Sequence, residues 1–231
     1  MRMYGICLLL VLMVFTMTGC TFDQKESDEV TTTFDQIEST ESVIDREQRV
    51  IFNCYATDGL AAYALTKMIY EQPILNENAN LEYTIFSDLE RFDHVASKAE
   101  RAILVLPSYE AVQLLQTQDQ YNIVGIVQVD GEALALMLLI TKDILEDTPE
   151  IAKAFEGEIA TACEWNTHQK QRALAYAEQL KIHSDLNDRT PEKMLYETAY
   201  DGISMIEELL QSELYEDVDV DRVLESISRY F

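Results

Sequence analysis

Between Arg49 and Thr141, short apolar runs alternate with stretches of helical periodicity, and this alternation narrows the possible folds more than any other feature of the chain. Val50-Ile51-Phe52-Asn53-Cys54 reads as a short buried strand. The turn at residues 55–59 leads into Leu60, Ala61, Ala64, Leu65, Met68 and Ile69, which recur at helical spacing until Pro73 ends the run. Residues 81–86 alternate and are β-rich at their end. Asp88 then stands where a helix cap is wanted, ahead of Leu89, Phe92, Val95 and Ala96 on one face. Residues 102–106 form the most strand-like run of all; Pro107 stops it, and Ser108 can cap a helix through Leu115. Residues 121–127 predict another strand, Asp130-Gly131 a turn, and residues 134–140 a further apolar run. Strands separated by helices predict an α/β fold with a mostly parallel sheet.

Beyond Thr141 the pattern predicts helices alone. Thr148-Pro149-Glu150 places a cap, a first-turn proline and a first-turn acid in register, ahead of a stripe of Ile151, Ala154, Phe155, Ile159 and Cys163. A break near Asn166 and Thr167 precedes a second helix carrying Ala173, Leu174, Ala177 and Leu180. Thr190-Pro191-Glu192 repeats the start signal, and two further helices are expected around residues 205–214 and from Val220 onward.

The first twenty residues do not belong to this domain. Arg2 is followed by an unbroken apolar run from Ile6 to Phe15, shorter than the ~20 residues a bilayer-spanning helix needs. Thr18 and Gly19 are small, and Cys20 follows at once. This ending resembles the lipobox of bacterial lipoproteins, with Met17 where leucine is usual, and the resemblance implies acylation of Cys20. An uncleaved anchor helix is the alternative; either way the remainder is expected on the extracytoplasmic face of a membrane. Residues 21–48 are acidic throughout, contain Thr31-Thr32-Thr33 and have few large apolar side chains, so they predict a flexible tether. The folded domain is expected over residues 49–231.

Charge and residue usage exclude several classes. A formal net charge of −25 argues against nucleic acid as a partner and against flat adsorption to anionic lipid. With 7 glycines in all there is little material for a phosphate-cradling loop, so no cofactor is expected. His94, His168 and His183 have no ligand spacing, and no nucleophile–base arrangement appears, so neither a metal nor catalysis is expected. Asp217-Val218-Asp219-Val220-Asp221 superficially suits calcium, but Arg222 and Ser228 stand where a calcium loop needs glycine and glutamate. Those acids read better as caps of the last helix. Cys54 and Cys163 fall in a strand and a helix; a disulfide and two separately buried thiols are both open.

Several segments carry a further resemblance. Residues 97–109, from Ser97-Lys98-Ala99-Glu100 through Ala102-Ile103-Leu104-Val105-Leu106-Pro107-Ser108-Tyr109, are similar to a segment of bacterial ABC-transporter solute-binding proteins. So are Thr141-Lys142-Asp143 through Thr148-Pro149-Glu150, the helix ending Glu164-Trp165-Asn166, and Thr57-Asp58-Gly59-Leu60 with the helix behind it. The resemblance is to the SsuA-like members of the type II periplasmic-binding-protein fold. Such proteins have two α/β lobes with ligand clamped between them, whereas this chain has residues for about one lobe and its C-terminal helices.

In open α/β sheets, ligands sit outside the carboxyl ends of the strands. Those positions are Tyr55, Thr57 and Asp58 after the first strand and Ser108, Tyr109 and Glu110 after the third, with Gln128 and Asp130 from the fourth. The resemblance places ligand contacts in the matching loops. Asp58 and Ser108 read first as plain helix caps, a duty compatible with ligand contact, while Tyr109 has no capping duty. The reading as a whole predicts a lipid-anchored protein that presents a small organic ligand to an ABC permease, without catalytic activity. The alternatives are a single lobe that binds a partner protein and, last, a hydrolase acting through Ser108.

Overall fold

The computed structural model describes residues 30–31, 49–131, 135–182, 190–212 and 215–227. The signal-like segment with Cys20, and residues 21–48 apart from Val30 and Thr31, lie outside the described residues. The strands are β1 (Val30–Thr31), β2 (Val50–Thr57), β3 (Ala79–Phe86), β4 (Ala102–Pro107), β5 (Tyr121–Val129), β6 (Leu136–Thr141) and β7 (Met194–Thr198). The helices are α1 (Leu60–Ala64), α2 (Thr66–Glu71), α3 (Leu89–Ala96), α4 (Ser108–Thr117), α5 (Lys142–Asp147), α6 (Pro149–His168), α7 (Lys170–Gln179), α8 (Ile203–Leu210) and α9 (Val220–Glu225).

The strands make one sheet in the order β1-β3-β2-β4-β6-β5-β7, giving the expected α/β architecture. Strands β3, β2 and β4 are parallel, β3 and β4 each reached through helices, and β5 runs the same way. Strand β6 enters between β4 and β5, antiparallel to both. The reversal is made at Asp130 and Gly131, whose φ angles of 54° and 78° turn the chain back. At one edge Val30–Thr31 pairs antiparallel with β3, covering backbone groups that an edge strand leaves open.

Alternating side chains feed two cores, as the pleat requires. Phe52, Cys54 and Ala56 of β2, with Ile103 and Val105 of β4, pack under α1, α2, α6 and α7. Leu104 and Leu106 of β4, with Met137 and Leu139 of β6, pack under α3, α4, α8 and α9. Buried Asn166 ties helices together on the first face. Its Nδ2 donates to the carbonyl of Tyr63 at 2.9 Å, and its Oδ1 accepts from the Thr66 hydroxyl at 3.3 Å. That hydroxyl also donates to the Tyr63 carbonyl, so these bonds satisfy groups at the break between α1 and α2. Trp165 packs between helices as expected, stacked on Tyr176 at 5.4 Å with Arg172 over both rings.

One expectation is overturned: the region after Thr141 is not helical alone. The start signal at Thr190-Pro191-Glu192 leads into strand β7, which extends the sheet antiparallel to β5. The amides that would begin a helix are taken from elsewhere. The Asp130 carboxylate accepts from Glu192 N and Lys193 N at 2.7 and 2.8 Å, and Thr167 Oγ1 accepts from Met194 N at 2.9 Å. Cys54 and Cys163 are both free and fully buried, which resolves their pairing in favour of separate thiols.

Candidate binding groove

Because β3 lies on one side of β2 and β4 on the other, successive connections leave in opposite directions and open a crevice at the strands' carboxyl ends. On one face of the sheet a groove of about 370 Å³ lies between α3 and α4 and runs along α4 as far as Thr117 and Gln118; its volume is within the size range of small-molecule sites. Helix α3 contributes Leu89, Phe92 and Asp93; α4 contributes Tyr109, Glu110 and Gln113. The positions follow from local chemistry. The Asp88 carboxylate caps α3 by accepting from Glu90 N and Arg91 N, which fixes where the helix begins beside β3. Pro107, extended at φ −51° and ψ 141°, ends β4 and starts α4.

The predicted residues are distributed unevenly around this groove. Thr57, at the end of β2, is buried beside it, and its hydroxyl faces the Glu110 carboxyl without a hydrogen bond of good geometry. Burial raises the Glu110 carboxyl above the ordinary carboxylate range; the Thr57 hydroxyl opposes that and the Asp93 carboxylate adds to it. Tyr109 is 55% exposed on the rim, tilted against buried Tyr215 at 6.1 Å. Ser108 does not cap with its side chain. It is the first residue of α4, its amide donates to the Ala135 carbonyl at 3.1 Å, and its side chain meets the Tyr215 hydroxyl. The Asp58 carboxylate accepts from the adjacent Gly59 N–H at 2.8 Å, where φ of 98° suits only glycine well.

The other predicted positions stand apart. Tyr55 packs edge-on against Phe86 at 5.7 Å and lines a different, shallow depression with Asn53, Lys98 and Asp143. Gln128 lies on β5 and Asp130 in the turn just past its end, separated from β4 by β6. Asp130 is engaged in holding the approach to β7. Conversely, Leu89, Phe92, Asp93 and Gln113 line the groove although none is expected there from the sequence; Leu89 stands just past the end of β3. Of these, only Leu89 and Phe92 belong to the α3 stripe, in which Leu89 is 49% exposed rather than packed.

Among the described residues, neither lysine nor arginine lines the groove. Among the described residues, no three His, Cys, Asp or Glu side chains are placed to hold a metal ion, and no helix is long and apolar enough to cross a membrane.

No family model matches the chain, and no curated protein matches it either. Solved structures do. An ABC transporter protein from Parabacteroides distasonis superposes with a TM-score of 0.58 at 12% identity, covering 75% of this chain and 94% of that one. The periplasmic aliphatic sulphonate binding protein SsuA from Escherichia coli superposes with a TM-score of 0.54 at 7% identity, covering 77% of this chain and 97% of that one. At such identities the likeness concerns architecture, and it establishes that this chain has a periplasmic-binding-protein-like α/β fold.

Proposed function

We propose that the chain is a lipid-anchored, extracytoplasmic binding protein that takes a small organic solute in the α3–α4 groove and presents it to an ABC permease. The observation that carries this reading is a groove of small-molecule size between α3 and α4, the helices that follow β3 and β4, on a fold shared with a sulphonate-binding protein. Cys20 is the proposed acylation site, residues 1–20 the cleaved signal and residues 21–48 the tether. The groove between α3 and α4 is open on its solvent side, so affinity in isolation is expected to be modest. Labelling cells with radioactive palmitate tests the anchor: label and membrane fractionation should both be lost in Cys20→Ser. In-cell crosslinking tests the partner, and recovery of permease subunits is the expected result.

A second reading, a lobe that binds a partner protein, has its own observation. Leu195, Tyr200 and Ile203 are exposed beside β7, which among the described residues has no strand on its outer side. Crosslinks from Tyr200 to an envelope protein other than a permease would favour it.

A further inference from the structure

The chemistry of the groove's walls says what charge of solute fits, given the binding reading above, on which this inference rests. Two carboxylates, Asp93 and Glu110, face the groove from opposite helices, and no basic side chain lines it among the described residues. Glu110 is half-buried, and its Oε2 has no hydrogen-bond partner. Behind it Thr57, 3% exposed, points a fully buried hydroxyl oxygen at that carboxyl, again without a partner of good geometry. A buried carboxyl oxygen left without a full complement of donors is costly. A donor or cation entering beside it removes that cost. Apolar surface is present alongside, from Phe92 in the floor and Leu89 at the rim, and the face of Tyr109 is open to solvent. This is the arrangement that receives an ammonium group on a small apolar body, through charge and through the aromatic face. An anion would meet two like charges with no counter-ion. A bare divalent ion lacks a third carboxylate, cysteine or histidine, since no such trio converges among the described residues. The sulphonate bound by the Escherichia coli protein is an anion, so similarity of fold does not carry over its ligand.

We infer that the α3–α4 groove selects an organic cation, a protonated amine or quaternary ammonium, with Glu110 and Asp93 as its counter-charges and Thr57 as the residue that positions Glu110. The test uses the full chain in detergent and calorimetric titration with three probes of one shape: benzyltrimethylammonium, benzenesulphonate and benzyl alcohol, with calcium chloride as a fourth. Benzyltrimethylammonium alone should bind. Its affinity should fall roughly tenfold or more in Glu110→Gln and in Leu89→Lys, the second being a surface change that leaves folding intact. Circular dichroism and the melting transition verify that both variants are folded. Preferential binding of benzenesulphonate, benzyl alcohol or calcium overturns the cation inference while leaving solute binding standing. Ammonium binding undiminished in both variants overturns it too. Absence of binding by every probe up to millimolar concentration overturns the cation inference and the solute-binding reading together.

Discussion

Tyr196 and Glu156 illustrate how much one contact between remote residues depends on a third. The Tyr196 hydroxyl, on β7, donates to Glu156 Oε1, on α6, at 2.6 Å in a buried setting. Burial raises both groups above their ordinary ranges, and the tyrosine hydroxyl partly restores the carboxylate. The ring lies where a side chain at Gly125 would be, so that glycine serves close approach rather than backbone freedom. Gly125→Ala must push the ring aside and break the bond. Together with the overpacking, it should cost about 2–4 kcal/mol in urea unfolding. Tyr196→Phe removes only the hydrogen bond and should cost about 1–3 kcal/mol at neutral pH. That penalty should shrink on acidification, because a neutral Glu156 needs its partner less. An equal penalty at both pH values would disprove the assignment.

At the scale of elements, the sharpest lesson comes from two identical start signals. Thr148-Pro149-Glu150 opens α6 as expected, whereas Thr190-Pro191-Glu192 opens a strand. Locally they are the same; the difference is that distant Asp130 and Thr167 claim the amides of residues 192–194. Such a competition has no signature in a tripeptide. Strands β2 to β6 were legible because each is a compact apolar run, and Ser108, Tyr109, Thr57 and Glu110 because they follow strand ends. The α3 wall was not, since a half-exposed Leu89 looks like a core residue until neighbouring helices are in place. Asp130→Ala should release both amides and loosen β7, costing about 1–2 kcal/mol. Hydrogen exchange should show faster loss of protection in residues 192–198 than in β2, and uniform change across the sheet would contradict this.

For the molecule as a whole, charge sets the response to pH. The chain carries a formal net charge of −25, and two of its carboxyls, Glu110 and Glu156, are held above their ordinary range by burial. A carboxyl raised by folding binds its proton more tightly in the native state. Its contribution to stability is therefore full below the unfolded value and is lost as pH rises through the folded one. Relief of self-repulsion acts in the same direction. The urea midpoint should rise as pH falls from neutral into the upper carboxylate range, and the slope should flatten in the Glu110→Gln, Glu156→Gln double variant. An unchanged slope would assign the whole effect to surface charge. Benefit at Glu110 should come at the expense of binding, a trade-off common where a site stores an unsatisfied charge.

The two core cysteines have a practical consequence. Cys54 on β2 and Cys163 on α6 are fully buried on the same side of the sheet, and burial lifts the Cys163 thiol to about 12 and Cys54 higher still. In the native state neither can form much thiolate, the reactive form, so an oxidising surrounding leaves both untouched. Exposure of either requires the first core to open. The rate at which a small thiol reagent modifies them is thus a clock for opening events, and with Cys7→Ser and Cys20→Ser in the background the signal comes from the folded core alone. Modification far faster than global unfolding would reveal a local breathing mode beneath α6, and modification at the unfolding rate would mark that core as one cooperative unit.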